Sequence, residues 1–158
     1  YVVAYDNDGK LTNASPKLKQ NLKTYLSQYM IITDAIDIKD AFIINIGVQF
    51  EILTLPTVAS RDVLAKCTEV IQEHFKTANL DINKPINLSS VYTKLDQVKG
   101  VQTVKKIKVV NKQGDRYSQL AYDVNGATKE SIVYPSYDPS IFEVKYPNID
   151  IEGRVTTL

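Results

Sequence analysis

The sequence predicts an α+β fold: a mixed sheet with helices packed mainly on one face, plus β hairpins and an extended C-terminal arm. Three observations carry this. Phe42, Ile44, Ile46, Val48, Phe50 and Ile52 are apolar at period two, with Asn45, Gly47, Gln49 and Glu51 between them. That alternation is a long strand with one face on a core. Val63, Leu64, Cys67, Val70, Ile71, His74, Phe75 and Ala78 then fall at helical spacing, as do Val91, Tyr92, Leu95 and Val98. A further run, Val101 to Val110, follows Gly100 and reads as a strand.

Three parts follow from this reading: 1–40, a hairpin and helix leading in; 41–110, a β-α-β-α-β module; and 111–158, a β-rich hairpin and C-terminal arm. In the first part, Tyr1 to Tyr5 runs into Asp6-Asn7-Asp8-Gly9, a hairpin signal. A calcium loop is excluded, because with Gly9 at loop position six the first and last ligand positions fall on Ala4 and Ser15. Ser15 and Pro16 open a helix over 15–29, Ser as cap and Pro at the first turn. Leu18, Leu22, Tyr25 and Tyr29 form one apolar stripe, expected to be a packing face, with Lys17, Lys19 and Lys23 on the other side. Asp34, Asp37 and Asp40 recur every three residues among isoleucines that favour extended chain, so they read as solvated carboxylates rather than ligands.

In the module, Leu55-Pro56 ends the long strand and Ser60 is expected to cap a helix over 60–78. Cys67 lies within its apolar stripe and reads as a small buried hydrophobe. Asn83 to Leu88 contains Pro85 and reads as a short edge strand. Ser89 is expected to cap the helix 89–98, which Gly100 closes in a left-handed conformation. Lys105, Lys106 and Lys108 read as a solvated face or edge protection. In the last part, Asn125-Gly126 predicts a hairpin between Leu120–Val124 and Ala127–Tyr134. Beyond it, Pro139 and Pro147 interrupt runs such as Ile141 to Tyr146, which reads as an arm or edge ribbon.

The composition narrows the function. Nineteen basic residues against eighteen acidic ones give no electrostatic footprint for nucleic acid or an anionic membrane. One cysteine allows no internal disulfide and suggests a reducing compartment. No G-x-S-x-G, phosphate loop, H-E-x-x-H or paired cysteines occur. His74, the sole histidine, has no nearby Asp, Cys or second His to orient it. Catalytic, cofactor-binding and metal-ligating residues are therefore expected to be none, and small-molecule substrates, nucleic acid and membrane are not expected partners. The two N-x-S matches, at Asn13 and Asn87, read as chance.

The order of elements from Phe42 to Val110 resembles the C-terminal module of the J-like baseplate proteins of contractile-tailed phages. The likeness rests on the strand Ala41 to Phe50 leading to the helix Arg61 to Phe75, on the edge strand and helix start Leu80 to Val91, and on the passage Val98-Lys99-Gly100-Val101. The wording is closest to the wedge proteins of T-even-like phages. The resemblance implies a non-enzymatic virion component of the tail baseplate, assembled in the host cytoplasm. Such chains associate with copies of themselves and with other wedge proteins to build a ring around the tail hub, which rearranges as the tail contracts. It brings no catalytic residue. With Tyr1 in place of Met, it also implies the C-terminal part of a longer subunit.

Ten tyrosines suit contact surfaces, where Tyr offers large area at low entropy cost. Five of them, Tyr117, Tyr122, Tyr134, Tyr137 and Tyr146, fall in the last third. The segment Tyr134 to Tyr146 is the expected interface arm, with Tyr134, Tyr137, Phe142 and Tyr146 as its contact residues; self-packing of these rings on the module's own sheet is the competing reading. At the level of function, a small-molecule-binding regulatory domain with ferredoxin-like layering competes. An enzyme using Asp34, Asp37 or His74 ranks below it.

Overall fold

A computed structural model describes residues 1–31, 34–136 and 138–156. In chain order its elements are β1 (Ala4–Tyr5), β2 (Leu11–Thr12), α1 (Pro16–Ser27), β3 (Phe42–Thr54), α2 (Ser60–His74), a 3-10 turn (Thr77–Asn79), β4 (Ile86–Asn87), α3 (Leu88–Asp96) and β5 (Val101–Asn111). There follow β6 (Thr128–Lys129), β7 (Ile132–Val133), β8 (Ser140–Glu143), α4 (Pro147–Asp150) and β9 (Ile151–Val155). The α+β class read from the sequence is the class of the fold.

β3 is the axis of the molecule. β5 pairs antiparallel along one side of it, from Ile46↔Asn111 to Thr54↔Val101. On its other side run two parallel strands in succession, β8 against Phe42–Asn45 and β9 against Val48–Ile52. α2 packs over β9 and α3 over β5. The alternate side chains Ile44, Ile46, Val48, Phe50 and Ile52 point into the space beneath these helices and are at most 1% exposed. They meet Val63, Cys67 and Ile71 of α2, Val91 and Leu95 of α3, and Ile107 and Val109 of β5. Each such side chain contributes about 1.5–3 kcal/mol on burial. Phe42 breaks the pattern, lying half-exposed at the start of the strand.

Two glycines have structural reasons. Gly100 has φ +104° and turns the chain from α3 into β5, as the sequence suggests. Gly153 lets β9 pass under α2: a Cβ there would lie 2.7 Å from Leu64 Cδ1 and press on the Phe50 ring. In β5 the register slips where Glu51 gives way to Ile52, leaving Lys105 without a partner on β3. Beside this bulge, the N–H of Ile107 donates to Tyr92 Oη at 2.8 Å, tying α3 to the strand.

The C-terminal segment differs from its expected form. Ser140–Glu143 is no arm; its four residues are at most 3% exposed and sit directly beside β3. Pro139 supplies only the acceptor that Phe42 N–H needs, at 2.8 Å, so its missing donor costs nothing. Pro147 opens α4, a one-turn detour between β8 and β9. The prolines thus interrupt one sheet edge without removing it.

Other local expectations shift. The tight hairpin is β6–β7, with Glu130 and Ser131 at φ +49° and +65° in its two-residue turn. Asn125-Gly126 instead sits in a turn held by Asp123, whose Oδ1 accepts Gly126 N–H at 3.0 Å. α2 starts one residue early, with Ala59 at the cap position, and Ser60 Oγ lies 2.7 Å from Thr54 Oγ1. α2 ends at His74 rather than at 78. Asn87 caps α3 in place of Ser89, accepting from Ser89 and Ser90 N–H. The N-terminal hairpin and the Ser15 cap of α1 are as expected, and β4 is an edge strand of a small sheet ordered β4-β7-β6.

Candidate protein interface

The N-terminal segment is fastened to the module by a few polar contacts. Val2 bridges to the chain just before β3, donating to Lys39 O and accepting from Ala41 N–H, each at 2.9 Å. Leu11 and Ala14 are buried, and their N–H groups end on carboxylates. Leu11 N–H donates to Glu143 Oε1 at 2.6 Å, and Ala14 N–H to Asp40 Oδ1 at 3.0 Å. Lys19 Nζ closes on Asp40 Oδ2 at 2.5 Å.

Glu143 belongs to a polar network buried on the face of β3 away from the helices. Its Oε2 accepts from Asn45 Nδ2 at 2.7 Å, and Asn45 Oδ1 accepts Ser118 N–H at 2.6 Å. Asp150 accepts from Tyr117 Oη at 2.6 Å and from Tyr146 N–H at 2.8 Å. Burial raises the Glu143 carboxyl above its ordinary value, and the Leu11 and Asn45 hydrogen bonds offset part of that rise. Burial and the bond to Asp150 push Tyr117 up to about 12. Every polar atom of Glu143 and Asn45 has a partner, which is the signature of a structural network.

α1 takes part in this fastening through Lys19 alone. None of its residues is buried. Of the stripe expected to pack, Leu22 is partly buried while the other three face solvent: Leu18 is 49%, Tyr25 56% and Tyr29 73% exposed. The Tyr25 and Tyr29 rings meet each other, edge to face at 5.5 Å. A helix of 12 residues standing alone is marginal in water, because most helical stability in proteins comes from packing an apolar face. α1 also has no acidic residue in its first turn and no basic one in its last, so its dipole adds nothing. Among the described residues, seven of the ten exposed large apolar side chains lie within residues 1–42: Tyr1, Tyr5, Leu18, Tyr25, Tyr29, Ile31 and Phe42.

The C-terminal residues expected to form an interface are scattered. Phe142 is 2% exposed in the core, edge to face with Tyr122 at 6.0 Å, and has no surface to offer. Tyr146 is half-buried between the Tyr117 ring, 5.6 Å away, and Lys10 Nζ, 4.5 Å from its centroid. Tyr134 alone of the described members is exposed, lining a shallow groove of about 890 Å³ with Pro85, Tyr122 and Pro135. Tyr137 lies outside the described residues. Among the described residues, the exposed apolar side chains are therefore concentrated in the N-terminal part of the chain. A sequence signal for it existed: α1 carries three lysines, no acid and Tyr25, with Tyr29 just beyond its end.

The remaining candidates do not converge. Asp34 and Asp37 are exposed, while Asp40 is spent on Ala14 and Lys19. Cys67 is fully buried, and burial pushes its thiol up to about 11. Among the described residues, no three His, Cys, Asp or Glu side chains gather to hold a metal, and no helix is long and apolar enough to cross a membrane. No protein-family model matches the chain, and no curated protein sequence matches it.

Proposed function

We propose that this chain is a structural assembly module, a baseplate wedge subunit of a contractile-tailed phage. In this reading it has no catalytic role. It associates with copies of itself and with other wedge proteins in a ring around the tail hub, and the ring rearranges on contraction. Its place is the virion baseplate, after assembly in the host cytoplasm. The observation that carries the assembly role is the exposed apolar side chains of α1 and the concentration of similar side chains within residues 1–42. The assignment to baseplates rests on the resemblance of the segment from Phe42 to Val110. The strand–helix–strand–helix–strand order of that segment, which is also its order in the fold, supports the reading.

Light scattering over a concentration series tests the assembly role. The chain is expected to gain mass with concentration, and a variant with Leu18→Glu and Tyr25→Glu is expected to stay monomeric with an unchanged circular dichroism spectrum. Association that is identical in the two proteins would remove α1 from the interface. A strict monomer that also fails to bind purified wedge proteins would remove the function itself.

A further inference from the structure

Outside the N-terminal surface and the Glu143 network, a cluster of basic groups with few acidic neighbours faces a cavity. His74 ends α2, Lys94 lies in the last turn of α3, and Lys84 stands in the loop before β4. All three line one groove of about 340 Å³, floored by Phe75, Leu80 and Ile86. We propose that this groove is a binding site for a small oxyanion, a phosphate or carboxylate group held by Lys94, Lys84 and His74.

The charge balance around the groove carries the argument. Lys94 Nζ lies 2.9 Å from His74 Nδ1, so the ammonium donates to a neutral imidazole whose proton is on Nε2. Among the described residues, Lys94 has no carboxylate at ion-pair distance. Lys84 Nζ reaches Asp81 Oδ2 and Asn79 O, each at 3.2 Å. Glu73, the neighbour of His74 in sequence, is turned to Lys76. Of the two ammonium groups on this concave surface, Lys84 has the carboxylate of Asp81 and, among the described residues, Lys94 has only the imidazole. Burial first, then Lys94 and Lys84, hold the imidazole below its ordinary value of 6.5. Both lysines would otherwise approach a third cation. An oxyanion between them would neutralise the excess and relieve the field that disfavours a charged ring.

His74 is the only histidine, so its ring protons report on this groove alone in a proton NMR titration. The midpoint is measured in sodium chloride, then with phosphate or acetate replacing chloride at constant ionic strength. Phosphate is expected to move the midpoint upward in a saturable way. An equal movement with acetate assigns a carboxylate as a sufficient ligand, and movement with phosphate alone assigns a phosphate ester. Lys94→Ala is expected to raise the midpoint without any added anion and to abolish the phosphate effect, while Lys94→Arg retains it. Lys94 is exposed and the substitution leaves the core intact. A midpoint indifferent to both anions at constant ionic strength, or one that moves equally in Lys94→Ala, would overturn the site.

Discussion

The N–H of Leu11 donates to the buried carboxylate of Glu143 at 2.6 Å, joining residues 132 positions apart. Through Asn45, that carboxylate also fixes the backbone of Ser118. The polarity of the chain is one-directional: Leu11 N–H and Asn45 Nδ2 give, Glu143 accepts, and Asn45 Oδ1 accepts from Ser118. Glu143→Gln sets an amide donor against Asn45 Nδ2, and turning Asn45 over moves the conflict to Ser118. The expected cost is about 1–3 kcal/mol in urea unfolding. Adding Asn45→Asp restores an acceptor at both places and keeps the charge, so the double variant is expected to recover most of the loss. Equal stability of wild type and Glu143→Gln would contradict the network.

The same carboxylate sets a pH dependence. Its value in the fold is raised above 4.5, so the folded protein binds that proton more tightly than the unfolded chain. The stabilising contribution is full below 4.5 and is lost as pH rises through the raised value. The stability of wild type relative to Glu143→Gln is therefore expected to fall with rising pH just above 4.5, since the other carboxylates are common to both proteins. A difference that grows with pH over that window would contradict the burial of Glu143.

Phe142 and Tyr134 were grouped together by their sequence neighbourhood, and the fold separates them. Phe142→Ala opens a cavity between β3 and Tyr122, with an expected cost of about 3–5 kcal/mol. Tyr134→Ala removes an exposed ring, with an expected change within about 0.5 kcal/mol. Denaturant titration of the two variants measures both, and similar values would contradict the pairing of β8 with β3.

Cys67 is inert in the fold because its thiol is buried and its ionisation is pushed up to about 11. Alkylation at neutral pH is expected only after denaturation. Modification of the native protein at the rate of a free thiol would contradict the packing of α2 on β3.

Much of this architecture was legible locally. β3, α2, α3 and β5 declare themselves because period two, helical spacing and Gly100 act within a few residues of each other. β8 and β9 were hidden because their partner is β3, about 100 residues earlier, and because Pro139 and Pro147 weigh against a strand in any local reading. The hairpin turn was misplaced because Asn125-Gly126 is a strong signal for a conformation that Glu130 and Ser131 adopt instead. The stripe on α1 was legible as a stripe; whether it is covered depends on tertiary contacts that no periodicity encodes. That single difference moved the candidate interface from the C-terminal tyrosines to the N-terminal helix.

The central claim is that α1 completes its packing on another molecule. Amide hydrogen exchange of residues 16–27, followed as the chain is concentrated or mixed with wedge proteins, tests it most directly. The account predicts near-unprotected amides in the dilute chain and protection that rises with association, while β3 stays protected throughout. Protection of α1 that is already high in the dilute monomer, or that does not change when larger species form, would contradict it.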